Sequence, residues 1–214
     1  MKIFIISFQR TGTTSTGKFF SKCGYNVATW NTNVKNKWTQ KWFTGDFESI
    51  FQSQDFKNCN VFEDDPWWCE DFYKLLFFKF PDSHFVLVER DSDKWFNSML
   101  SRGKGKTLGN TRIHTRLYQR EQELEELNKS SKNLINFNNL NVYDKRLPLN
   151  DSHREKYIKI YESRNSEIKS FFKENDEERL ISVKLEDNQK WEKIANHFKI
   201  KNYPKETWVN KSKK

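Results

Sequence analysis

Residues 2–20 read KIFIISFQRTGTTSTGKFF, and the parsing of this stretch decides the fold. Ile3, Phe4, Ile5 and Ile6 form a short unbroken apolar run, the pattern of a strand buried on both faces. Gln9-Arg10-Thr11-Gly12-Thr13-Thr14-Ser15 follows with one glycine, one cation and four hydroxyls, and Phe19 and Phe20 then restore apolar character at helical spacing. A buried strand, a tight polar loop and a helix start together make a seat for an anion. The first-turn N–H groups point at it and the helix dipole favours negative charge there. Arg10 adds a permanent positive charge, and Thr11, Thr13 and Thr14 add short hydroxyl donors.

Two parsings of the loop compete. Gly12 to Lys18 (GTTSTGK) has the spacing of a nucleoside-triphosphate P-loop, but Phe19 stands where that motif needs a Mg²⁺-binding hydroxyl. It also puts the first glycine well past the strand end, where the loop should already have begun. The other parsing takes Arg10 to Ser15 as the phosphate grip itself.

Composition bounds the class. The 214 residues suit one domain spanning 1–214 with a sizeable core. Apolar residues make up only 35%, yet 19 Phe and 8 Trp bring aromatics to 16%, so large rings must carry much of the packing. An excess of 38 Lys+Arg over 29 Asp+Glu gives a net charge of +9, which suits polyanionic ligands or simply a basic surface. Cys23, Cys59 and Cys69 lack metal or disulfide spacing, so a reducing, cytoplasmic setting is expected and no metal is called for. The N-terminal apolar run is too short for a signal peptide, and no stretch reaches membrane-spanning length.

Strands are expected at Tyr25–Ala28, Asn60–Glu63, Phe85–Val88 and Leu180–Leu185, alternating with helices over Gly12–Cys23, Trp68–Phe80, the segment after Asp91, and Asn188–Phe198. Asp91 or Ser92 can cap the helix that carries Trp95, Phe96, Met99 and Leu100. This alternation predicts an α/β fold, a parallel sheet of about five strands flanked by helices. Residues 30–56 read as irregular and aromatic, a core segment or acceptor wall before a nucleic-acid platform. Residues 101–150 loosen into a basic Gly103–Lys106 loop, a charged helix over Leu117–Leu127 and an asparagine-rich loop over Asn133–Asn141. Within them His114 lies among Arg112, Arg116 and Arg120, read as a solvated face. Asp151–Asn175 is a long amphipathic helix.

Arg90 ends the Phe85–Val88 strand, at the edge where open α/β sheets bind ligands, and Ser98 follows eight positions later. With Arg10-Thr11-Gly12-Thr13-Thr14 upstream, this resembles the sulfotransferases that use 3′-phosphoadenosine 5′-phosphosulfate (PAPS), most of the chain matching and residues 30–56 and 101–150 standing apart as acceptor-side insertions. The resemblance implies a P-loop-like sulfotransferase fold and metal-independent transfer of a sulfuryl group to an acceptor hydroxyl or amine. It implies that Arg10, Thr11, Gly12, Thr13, Thr14 and Ser15 hold the 5′-phosphosulfate, with Arg10 also catalytic, and that Arg90 and Ser98, joined by Lys211, hold the 3′-phosphate. Cytosolic relatives place a catalytic His two residues before a proline at the third strand end. Here Asp64 stands two residues before Pro66, the candidate base, with Glu63 and Asp65 as rivals. A carboxylate in that role needs an apolar setting, such as Trp67 and Trp68, to raise its pKa. The acceptor is a small molecule, glycan or lipid, and nucleic acid is not the expected partner. The alternatives are an ATP–Mg²⁺ kinase with Lys18 on phosphate and Asp64 or Asp65 on metal, and a basic single-strand-binding protein.

Overall fold

The computed structural model describes residues 1–101, 112–130 and 147–207. The expected loops at Gly103–Lys106 and Asn133–Asn141, and Lys211 in the tail, lie outside the described residues. The chain divides into two compact units, Met1–Arg90 with Asn165–Lys214, and Asp91–Arg164.

In the first unit the order is β1 (Ile3–Ile5), α1 (Thr13–Lys22), β2 (Val27–Ala28), α2 (Trp30–Asn36), α3 (Trp38–Phe43), α4 (Phe47–Phe51), α5 (Gln54–Asn58), β3 (Val61–Phe62), α6 (Phe72–Lys79) and β4 (His84–Glu89). The second unit holds α7 (Ser92–Ser101), α8 (Arg112–Leu117), α9 (Glu121–Ser130) and the start of α10 (Arg154–Asn175). The rest of α10, β5 (Leu180–Lys184) and α11 (Lys190–His197) belong to the first unit. The sheet runs β2-β3-β1-β4-β5 with every pairing parallel, the α/β architecture read from the sequence. The chain leaves β1 towards β2 on one side and reaches β4 and β5 on the other, so the strand order reverses beside β1. In such sheets a crevice opens at the carboxyl ends of the strands at that point.

Strand alternation sorts the core into two layers. Phe4 pairs in register with Phe62 and Phe85, and on that face its ring meets Phe56, Trp67 and Phe80 at centroid distances of 5.4–6.3 Å. On the other face Ile3, Ile5, Val61, Val86 and Val88 meet Phe19 and Phe20 of α1 and Trp191 and Ile194 of α11. Cations close the amino edge of the sheet. Lys2 Nζ donates to the carbonyls of Phe56 and Cys59 at 2.6 and 3.0 Å. The buried Arg179 donates to the carbonyls of Phe77, Phe80 and Ser83 while its guanidinium lies 3.7 Å from the Phe77 ring centroid. Part of the basic excess is therefore structural.

Two expectations are corrected. Residues 30–56 are not irregular: they fold into α2–α5, none longer than seven residues. They turn on Lys37, with φ 55°, and on the carboxylate of Asp46, which accepts the Ser49 N–H. Pieces this short show no helical period. The expected single helix over Leu117–Leu127 breaks at Gln119, whose φ is 53°, into α8 and α9. Two residues of the face expected to be solvated, His114 and Arg120, are buried there. His114 is buried and its pKa pushed down to about 4 by desolvation, and Arg120 is buried but held by Glu123 at 2.8 Å and the Pro148 carbonyl. Stacked Tyr118 and Tyr157, with centroids 4.1 Å apart, cover this region of the second unit.

Phe4→Ala removes the ring around which one layer is assembled. It should cost about 3–5 kcal/mol, read as a fall in Tm of roughly 10 °C or more in a thermal melt. A near-unchanged melt would contradict this core assignment.

Candidate functional site

The anion loop is positioned by a side chain that extends the sheet past its last backbone pair. Ser7, fully buried, accepts the Val88 N–H on Oγ at 2.6 Å and donates to the Val86 carbonyl at 3.3 Å. This keeps the chain leaving β1 against β4 for two residues after the strand ends. Thr11, also fully buried, donates its hydroxyl to the Phe8 carbonyl at 2.6 Å and closes the loop on itself. Its side chain is thus spent on the turn.

Arg10 and Gly12 both have positive φ, 68° and 93°. Gly12 is the N-cap of α1 and is fixed in kind twice over: the left-handed conformation favours glycine, and a Cβ there would lie 2.7 Å from Leu185 Cδ1. The helical ladder begins with the Thr16 N–H on the Gly12 carbonyl, so the N–H groups of Thr13 and Thr14 precede it at the positive end of the dipole. Thr13 and Ser15 are buried and Thr14 is exposed. Phe19, where a P-loop would hold its metal-binding hydroxyl, is fully buried and stacks on Trp191 at 5.0 Å. Lys18 is exposed.

At the tip of β4 the Arg90 Nη1 donates to the Arg10 carbonyl at 3.2 Å. Arg90 Nε also lies 3.6 Å from Glu186, which follows β5. The predicted residues Arg10, Thr11, Gly12, Thr13, Thr14, Ser15 and Arg90 thus belong to one neighbourhood at the carboxyl edge of β1, β4 and β5. Within the second unit Asp93 is bound by Arg154 at 3.0 Å. Ser98 is buried on α7 in that unit, and Asp91 caps α7 by accepting the Lys94 N–H at 2.9 Å. Lys211 lies outside the described residues.

Three consecutive carboxylates follow β3. Glu63 is buried, against Gly17 of α1, whose missing Cβ would sit 3.0 Å from Glu63 Cγ. Burial, and then the charge of Asp64, pushes the Glu63 pKa up to about 8, against the pull of the Trp30 backbone N–H that it accepts. Asp64 is half-buried with φ 71° and accepts the Asp65 N–H at 3.0 Å. Asp65 accepts the Trp68 indole N–H at 2.6 Å, and burial raises its pKa despite that bond. The Trp68 ring in turn lies 5.1 Å from Phe8, at the start of the anion loop. The raised pKa that the sequence reading asked of Asp64 is found at its two neighbours, Glu63 and Asp65. Gly17 was the available signal for Glu63: a glycine inside a helix costs about 1 kcal/mol unless something needs the space.

The family model described as a sulfotransferase domain matches residues 2–214, essentially the whole chain. The chain belongs to that family. No curated protein sequence matches it. Among the described residues no helix is long and apolar enough to cross a membrane.

A carboxyl whose pKa is about 8 in the fold and near 4.5 when unfolded favours its protonated form on folding. Its contribution is complete below pH 4.5 and is lost as pH rises to 8. Glu63→Gln should therefore gain on the parent protein through that window, by roughly 1 kcal/mol or more at pH 8, a few degrees in Tm. A gap that stays flat between pH 5 and 8 would contradict the burial of this group.

Proposed function

We propose that residues 2–214 act as a sulfotransferase domain using PAPS as donor, in an aqueous, reducing compartment such as the cytoplasm. The observation that carries the reading is the Arg90–Arg10 hydrogen bond. It puts the anion loop and the β4 tip side by side, so that the two ends of a doubly charged adenine nucleotide have a cation each. When bound, the donor supplies the sulfuryl group and leaves as adenosine 3′,5′-bisphosphate. Arg10 and the Thr13 and Thr14 N–H groups would bind the 5′ end, where negative charge builds on the leaving oxygen. Fixed donors and cations aimed at that charge provide the stabilisation. Arg90 would bind the 3′-phosphate. For Ser98 the same role rests on its spacing from Arg90 in the sequence.

The proton of the attacking group needs a base at this sheet edge. Asp64, the residue expected from the sequence, stays a candidate, but Asp65 suits the role better. Its pKa is raised by burial, and Trp68 holds its carboxylate in one orientation beside the anion loop. Glu63, with its pKa near 8, is largely protonated at neutral pH.

The kinase alternative loses support because the metal-hydroxyl position is the core ring Phe19. The nucleic-acid alternative loses support because Trp38 and Trp42 are buried, which leaves Trp30 as the one exposed tryptophan of residues 30–43 where stacking needs successive rings.

Adenosine 3′,5′-bisphosphate should raise Tm at concentrations where ATP–Mg²⁺ does not, and Arg10→Ala or Arg90→Ala should each weaken it at least about tenfold. Stabilisation by ATP–Mg²⁺ alone would overturn the donor assignment. Asp65→Asn should lower kcat by about 10²-fold or more while nucleotide affinity holds, and the acid limb of the parent's pH profile should lie above the ordinary Asp value near 4. A drop confined to Asp64→Asn would return the base to Asp64.

A further inference from the structure

Three acids lie at the tips of β4 and β5, and the fold uses them differently. Glu89 closes β4 and accepts the Ser182 hydroxyl at 2.9 Å and Lys169 Nζ at 3.0 Å. Asp187 accepts the Gln189 N–H at 2.8 Å and Lys193 Nζ at 2.7 Å, which ties it to the start of α11. Glu186 instead faces Arg90.

The turn that ends β5 fixes its place. The Leu185 N–H donates to the Glu89 carbonyl at 2.7 Å and the Asp187 N–H to the Lys184 carbonyl at 3.1 Å, so residues 184–187 turn back at the strand tip. The Leu185 side chain then abuts Gly12, and the Glu186 carboxylate comes 3.6 Å from Arg90 Nε. One turn therefore meets the anion loop and the β4 cation together. At 3.6 Å the contact is longer than a hydrogen bond, and both side chains are partly in water, Arg90 22% and Glu186 43% exposed. A pair of this kind adds little to stability. Nor does it aim the guanidinium, because Arg90 Nη1 is already fixed on the Arg10 carbonyl at 3.2 Å. Lys190, buried at the start of α11, also feels the Glu186 charge, but its Nζ is held on the Asp187 carbonyl at 3.2 Å. What the carboxylate changes most is the potential that an anion meets at Arg90.

We propose that Glu186 is the built-in counter-ion of the nucleotide site: its carboxylate offsets Arg90 in the empty protein and gives way to the 3′-phosphate, which sets how tightly the donor and the bisphosphate product are held. This rests on the transferase reading and deepens it. An acid beside the 3′-phosphate opposes retention of a doubly charged product, so Glu186 acts on affinity and not on the transfer itself.

The test is calorimetric titration of the full chain with adenosine 3′,5′-bisphosphate and with adenosine 5′-monophosphate, which lacks the 3′ charge. Removing one negative charge close to a dianion, Glu186→Gln should tighten the bisphosphate about threefold or more. The monophosphate should gain clearly less, and the bisphosphate gain should shrink as salt is raised. An unchanged or weakened bisphosphate affinity, or an equal gain for both nucleotides, would overturn the proposal and leave the donor assignment standing. A parent protein that does not bind the bisphosphate at all would sink the donor assignment, and this inference with it.

Discussion

The carboxyl edge of the sheet depends on one coupling: Ser7 stitches the end of β1 to β4 through Val86 and Val88, and Arg90 then fastens the Arg10 carbonyl. Arg10 has positive φ, a conformation that a non-glycine residue holds only when its surroundings fix it. Here the buried Ser7 and Thr11 hydroxyls and the Arg90 guanidinium do so. The consequence is electrostatic. The Arg90 guanidinium and the loop that opens α1 are thereby held together by the fold itself, a pre-ordering that lowers the cost of binding in the function proposed above.

Elsewhere the charge is put to different uses. Lys2 and Arg179 are consumed at the amino edge, on carbonyls and aromatic faces, and Arg120 is neutralised by Glu123 inside the second unit. The net charge of +9 therefore overstates what faces a ligand. After β3, burial raises the pKa values of Glu63 and Asp65.

Much of this was legible in the chain itself, for physical reasons. Buried parallel strands read as unbroken apolar runs, so IFII and FVLV marked β1 and β4 directly, and Arg90 followed from its place at a strand end. The loop was legible because Gly12 sits between hydroxyls and a cation. The four short helices of residues 30–56 were not, because each spans less than two turns and is set by local caps and turns. The role of Thr11 was hidden too, since a hydroxyl that closes its own loop has the same letter as one that binds a ligand. Asp64 looked like the base from its distance to Pro66, but tertiary packing buries Glu63 and sets the Trp68 indole on Asp65, which one letter cannot show. The burial of His114 and Arg120 shows the same thing: charge in a sequence says nothing of exposure until its partners are placed.

The central claim is that one nucleotide is clasped at both ends by cations from neighbouring strand tips, and phosphorus NMR of bound adenosine 3′,5′-bisphosphate tests it most directly. Each phosphate of the free nucleotide takes up a proton near pH 6, and a cation beside it lowers that midpoint. The account predicts that both resonances, 5′ and 3′, titrate below their free values in the complex. A complex in which either phosphate titrates as it does in solution would contradict it.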